Sequence, residues 1–224
     1  MQLAHTIYEP NGEGPFPTIL TLHGRGANAF DLLGLAPHIC GGKFLMICPQ
    51  GPLETPVAPD TMGYSWYPMS LGGPPDVTAI LSSRQKLQNF LDECLQSYPI
   101  DAKKLVILGF SQGGVMAYSL ALPNPQRFAA LVALSTWLPP ELAAQLSIND
   151  GVQSLPTLVQ HGTQDHMIEI GRARAAVEKL RGLRLPLTYR EYEMGHEIRP
   201  RSLVDLSAWL EKNVGATSRS PLQE

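Results

Sequence analysis

No stretch of this sequence approaches the about 20 consecutive apolar residues that a bilayer-spanning helix needs. The opening residues, Met1-Gln2-Leu3-Ala4-His5, hold no basic region followed by an apolar run, so no signal peptide is expected and a cytoplasmic location is the default. Charge of one sign is lacking too. Lys and Arg number 17 against 20 Asp and Glu, for a net charge of -3, and the cations are scattered. Binding to nucleic acid or insertion into a membrane is therefore not expected. Cysteine is scarce: Cys40, Cys48 and Cys94 are odd in number and lack CxxC spacing, which suits buried reduced thiols. No zinc-ligand pattern, internal repeat or low-complexity tract is present.

What is there reads as one globular unit. Hydrophobic residues make up 44% and charged residues 17% of 224 positions, enough for one sizeable core. A single domain is expected over 1–214, with 215–224 as a polar, flexible tail. Short apolar runs mark strands at 3–8, 17–22, 44–48, 104–109, 129–135, 156–161 and 187–193. Leu105-Val106-Ile107-Leu108 is the pattern of a strand buried on both faces. Amphipathic segments lie between them. In 76–97, Val77, Ile80, Leu81, Leu87, Leu91, Cys94 and Leu95 recur at helical spacing, and Leu203, Leu206 and Leu210 do so in 201–213. The alternation predicts an α/β fold, a mainly parallel sheet of about seven strands flanked by helices, without a separate cap domain. Segment 49–75 carries seven prolines and is expected to be a long functional loop.

The strongest motif is Gly109-Phe110-Ser111-Gln112-Gly113, which fits G-x-S-x-G between a strand and a helix beginning near Gly114. Such a turn strains the nucleophile's backbone and requires small neighbours. It places the Ser111 hydroxyl above the sheet edge, beside a helix N-terminus that favours negative charge. In this fold the chain order is serine, acid, histidine. Of six histidines, only His166 and His196 follow the acid region. His166 adjoins Asp165 too closely to share a partner with it, so His196, in the loop after strand 187–193, is the expected base. Asp165 follows strand 156–161 and is the expected acid. Its rival reading is a helix-starting Asp, and Asp150 lies in a polar turn far from a strand end. The oxyanion donors should be backbone amides, one from Gln112 and one from Leu22-His23-Gly24-Arg25-Gly26. His23 is expected to brace that loop.

The set LHGRG, GFSQGG, STWLP, HGTQD and GHE, in order over roughly 17–213, resembles the bacterial carboxylesterase, lysophospholipase and acyl-protein thioesterase family of α/β hydrolases. The resemblance implies a triad of Ser111, Asp165 and His196, an oxyanion hole from the amides of Arg25 and Gln112, and no metal or organic cofactor. It also implies that Trp66 stands near the substrate and that Trp137 and Leu138 line an acyl pocket, joined by Met167. Core packing is the competing reading for all four. Arg25 departs from the leucine frequent in the thioesterase branch, which weighs against thioesterase specificity. The expected activity is hydrolysis of short- to medium-chain carboxylic esters, small-molecule substrates, through an acyl-enzyme on Ser111. Lysophospholipase and acyl-protein thioesterase share that machinery, and a non-catalytic binding module on the same fold is the remote alternative. A homodimer is left open.

Overall fold

The computed structural model describes residues 1–69 and 73–215. The expected tail therefore lies outside the described residues, apart from Gly215. Seven strands form one sheet: β1 (His5–Tyr8), β2 (Phe16–Leu22), β3 (Leu45–Pro49), β6 (Ile100–Phe110), β7 (Ala130–Leu134), β8 (Thr157–Gly162) and β9 (Leu187–Tyr192). Their order is β1-β3-β2-β6-β7-β8-β9. Only β1 runs antiparallel to its neighbour. Each apolar run marked in the sequence is one of these strands.

Alternation within a strand feeds two cores. On one face Leu105, Ile107, Leu131 and Ala133 pack with α1 (Val77–Ser97), α2 (Gln112–Ala121), α3 (Pro140–Gln145) and α4 (Ile170–Gly182). On the other, Val106, Leu108, Val132 and Leu158 meet the 3₁₀ turn Leu33–His38 and α5 (Pro200–Val214). Two-sided burial is why these strands read as unbroken apolar runs rather than alternating ones. The helix starts follow local chemistry: the Asp76 side chain accepts from the Ala79 amide at 2.9 Å, a cap that stabilises α1 by about 1 kcal/mol. The three cysteines are free and buried. No helix among the described residues is long and apolar enough to cross a membrane.

Segment 49–75 is not all loop. Residues Leu53–Ala58 (β4) and Thr61–Ser65 (β5) pair as an antiparallel hairpin. Its turn holds Asp60 at φ 57°. Most of β4 is exposed and Pro56 interrupts it, so no period-2 apolar signal marks it in the sequence. What holds it is main chain: Tyr64 bridges to Ala27 in the loop after β2.

Candidate active site

Ser111 sits at the corner between β6 and α2 with φ 53° and ψ −119°, a conformation costly for any residue bearing a Cβ. The corner is held from three sides. The Ser111 amide donates to the Leu134 carbonyl at 2.9 Å. Its own carbonyl accepts from the Gly114 amide at 2.9 Å and from the Thr136 hydroxyl at 2.7 Å. A Cβ on Gly109 would stand 2.2 Å from the Gly113 carbonyl oxygen, and one on Gly113 would stand 2.1 Å from the Leu22 carbonyl oxygen. The first clash is across the turn itself. The second is with the end of β2, so Gly113 also sets how closely the loop after β2 approaches Ser111.

That loop is braced from below. The buried His23 ring has Nδ1 at 2.7 Å from the Gly24 carbonyl oxygen, while Nε2 accepts from the Gly51 amide at 2.9 Å. Both contacts are met by the neutral ring protonated on Nδ1. Burial lowers its pKa below the usual histidine value and keeps it neutral. Gly26 adopts φ 81° and donates to the Tyr64 carbonyl at 2.8 Å, while Tyr64 donates back to Ala27 at 2.8 Å. The hairpin thus clamps the loop from outside. Among the described residues the Arg25 and Gln112 amides have no acceptor, and both residues line the same cavity as Ser111.

The Gln112 side chain has a separate task. Fully buried, it accepts from the Trp66 amide at 2.8 Å and donates to the Tyr67 carbonyl at 2.8 Å. It fixes the chain leaving the hairpin to the first turn of α2.

At the ends of β8 and β9 the structure joins Asp165 to His196. His196 Nδ1 lies 2.8 Å from Asp165 Oδ2. Asp165 Oδ1 accepts from the amides of Met167 and Ile168, each at 2.9 Å. The buried carboxylate is thus well satisfied. A Cβ on Gly162 would meet the Met194 carbonyl oxygen at 2.2 Å, so this glycine lets the loop bearing His196 pass close over β8. The His196 ring packs on Phe110 with centroids 4.9 Å apart. Among the described residues no hydrogen bond joins Ser111 to His196, but both line one cavity of about 510 Å³. Such contacts commonly tighten only when substrate binds.

Sequence reasoning missed His161. Fully buried at the end of β8, its Nε2 lies 2.8 Å from the Ile168 carbonyl oxygen and 3.4 Å from Asp165 Oδ2. Burial lowers its pKa. The signal available was its position four residues before Asp165. Asp150 begins the 3₁₀ turn Asp150–Ser154 and does not reach the cavity.

Of the four expected pocket residues, two line the cavity and two do not. Trp137 and Met167 do. Trp66 is corrected to the core: it is fully buried and its indole N–H donates to the His23 carbonyl at 2.8 Å, so it supports the loop from beneath. Leu138 likewise belongs to the apolar core rather than the cavity wall. Arg172, not singled out from the sequence, completes the wall, its guanidinium carbon 5.3 Å from the centre of the Trp137 ring.

The family described as Phospholipase/Carboxylesterase matches residues 5–214. The chain is 27% identical to an acyl-protein thioesterase 1 of Mycosarcoma maydis, over 92% of this chain and 95% of that protein. It is 24% identical to the carboxylesterase SOBER1 of Arabidopsis thaliana, over 71% and 72%. Among solved structures, the Bacillus cereus carboxylesterase superposes with a TM-score of 0.81 at 20% identity, covering 94% of each chain. At that identity the likeness is one of fold.

Proposed function

In a chain that belongs to the phospholipase/carboxylesterase family of α/β hydrolases, we propose a serine carboxylesterase that hydrolyses short- to medium-chain esters through an acyl-enzyme on Ser111. The observation that carries this reading is convergence. One cavity is lined by a strained serine, by a histidine bonded to a buried carboxylate, and by two residues whose amides have no acceptor among the described residues. All come from one sheet and its connections, which supports a single domain over 1–214.

The chemistry follows from those positions. His196 Nε2 takes the proton as Ser111 Oγ attacks the ester carbonyl carbon. The carbonyl oxygen becomes an oxyanion between the amides of Arg25 and Gln112, donors already fixed by the loop and by the helix start. Asp165 holds the imidazole protonated on Nδ1 and stabilises the imidazolium. Collapse breaks the bond to the alcohol, which leaves with the proton from His196. Water, deprotonated by the same histidine, then cleaves the acyl-enzyme and restores Ser111. Trp137 and Met167 supply apolar contact for the acyl chain.

The test is Ser111→Ala, assayed with p-nitrophenyl butyrate and with a fluorophosphonate probe. Hydrolysis and labelling should both vanish while circular dichroism is unchanged. A folded variant within about tenfold of the parent's kcat would overturn the assignment.

A second reading has one specific support: the near full-length similarity to an acyl-protein thioesterase. The same groups would attack a thioester. Relative kcat/KM across matched esters, thioesters and lysophospholipids separates the readings. A cavity of about 510 Å³ leads us to expect a maximum at short or medium acyl chains, because each added methylene gains up to about 0.8 kcal/mol only while it can be buried.

A further inference from the structure

Of the ten described arginines, five form ion pairs and five do not: Arg25, Arg84, Arg172, Arg184 and Arg190. On α4, Arg174 is bidentate to Glu191 and Arg181 pairs with Glu178. Arg127 pairs with Asp92, Arg199 with Glu197 and Arg201 with Asp205. Arg172, in the first turn of α4, and Arg25 have no such partner among the described residues, and both line the cavity of Ser111. In a chain of net charge -3 the cavity is lined, among the described residues, by two arginines against one acidic residue, Asp31. Asp31 and Phe110 also line a neighbouring recess of about 220 Å³, whereas Arg25, Trp137 and Arg172 line the main cavity alone.

Arg172 is also held in place. Its guanidinium lies over the Trp137 ring, an attraction that limits its rotamers while leaving its N–H edge free to donate. Trp137 in turn follows Thr136, whose hydroxyl is bonded to the Ser111 carbonyl. A cation whose stacking partner is tied to the nucleophile's own corner is placed to recognise part of a substrate, with less entropy to lose than a free surface arginine.

Resting on the hydrolase reading above, we propose that this cavity selects esters bearing an acidic group, a carboxylate or phosphate on the acyl or alcohol part, bound by Arg172 with Arg25 as the second cation. A guanidinium edge matches the two oxygens of either group. Asp31 disfavours the same anion at the Phe110 side and so orients it toward the arginines.

The experiment compares kcat/KM within matched pairs: p-nitrophenyl hydrogen glutarate against p-nitrophenyl butyrate, and 4-(butyryloxy)benzoate and 4-(butyryloxy)phenyl phosphate each against phenyl butyrate. At least one acidic ester should exceed its neutral partner by about tenfold, equivalent to about 1.4 kcal/mol. The acidic ester that is favoured identifies the anion and the side that carries it. Arg172→Gln should bring the ratio toward one, Arg172→Lys should restore part of it, and salt should erode it, since the mouth is exposed and screened. Equal turnover of acidic and neutral esters by the parent, or a preference that survives Arg172→Gln, would overturn the proposal. Failure of the parent on the neutral esters would instead strike the hydrolase reading itself.

Discussion

Replacing Gly63 by alanine should lower kcat by about 10²–10³-fold although Gly63 touches no part of the cavity, because it moves one oxyanion donor. Gly63 lies in β5, where a Cβ would stand 1.8 Å from the Gly26 carbonyl oxygen, 2.4 Å from its carbon and 2.8 Å from its Cα. Contacts below 3.0 Å are essentially never seen, so one of the two segments must shift by roughly 1 Å. The hairpin is tied at its exit: the Gln112 side chain bonds the main chain of both Trp66 and Tyr67. The loop of Gly24, Arg25 and Gly26 is the part that yields, and the Arg25 amide goes with it. A misplacement of about 1 Å at a reacting centre is enough to cost about 10²-fold. The assay is kcat and KM for p-nitrophenyl butyrate, with Tm and circular dichroism to establish folding. Gly171→Ala is the control, because a Cβ there meets nothing within 4 Å. A folded Gly63→Ala enzyme with kcat within about threefold of the parent would refute the reasoning: either the hairpin absorbs the clash, or the Arg25 amide is not a donor.

Arg25→Leu, by contrast, keeps the amide, so kcat on a small neutral ester should stay within about tenfold; a loss of about a hundredfold with the fold intact would make the guanidinium itself part of the chemistry. Asp165→Asn should reduce kcat by about 10⁴-fold and His196→Ala by more, since triad members act as a unit. Asp150→Asn, in its turn remote from the cavity, should leave kcat near the parent's, and the reverse ranking would show that the wrong carboxylate has been chosen. His23 and His161 have pKa values lowered by burial from the ordinary 6.5. The unfolded chain therefore binds more protons than the folded one as pH falls below about 6.5, and stability is lost in that direction. Tm should be flat above neutrality and decline toward pH 5, and a Tm that rises on acidification would contradict the burial of these rings as neutral groups.

The sheet was legible because its strands are buried on both faces. Leu105-Val106-Ile107-Leu108 must be apolar throughout to feed two cores, and such runs stand out whatever the turns between them do. The hairpin of β4 and β5 was not legible. Its side chains are largely exposed, and its docking rests on main-chain bonds between Tyr64 and residues 26–27, which place no demand on side-chain identity beyond Gly63. For a similar reason the tryptophans could not be told apart. Trp66 follows β5, which the sequence did not reveal, and Trp137 follows β7; only the path of the backbone turns one beneath the loop and the other into the cavity. Arg172 reaches Trp137 across a gap of chain that no local pattern spans.

Asp165 illustrates a different limit. From the sequence its two readings compete: an acidic residue that starts a helix, or the partner of a histidine. Its geometry removes the competition. The Oδ1 atom takes the amides of Met167 and Ile168, while Oδ2 takes His196. Helix α4 begins only at Ile170, so the carboxylate caps the turn ahead of the helix rather than the helix itself. Those two amide bonds leave the side chain few rotamers, and the remaining oxygen is thereby aimed at the imidazole. The capping preference that made Asp165 look like a helix-starting residue is expressed in the turn before α4, and the same amide bonds orient it toward His196. Removing either amide bond should therefore loosen the pairing with His196.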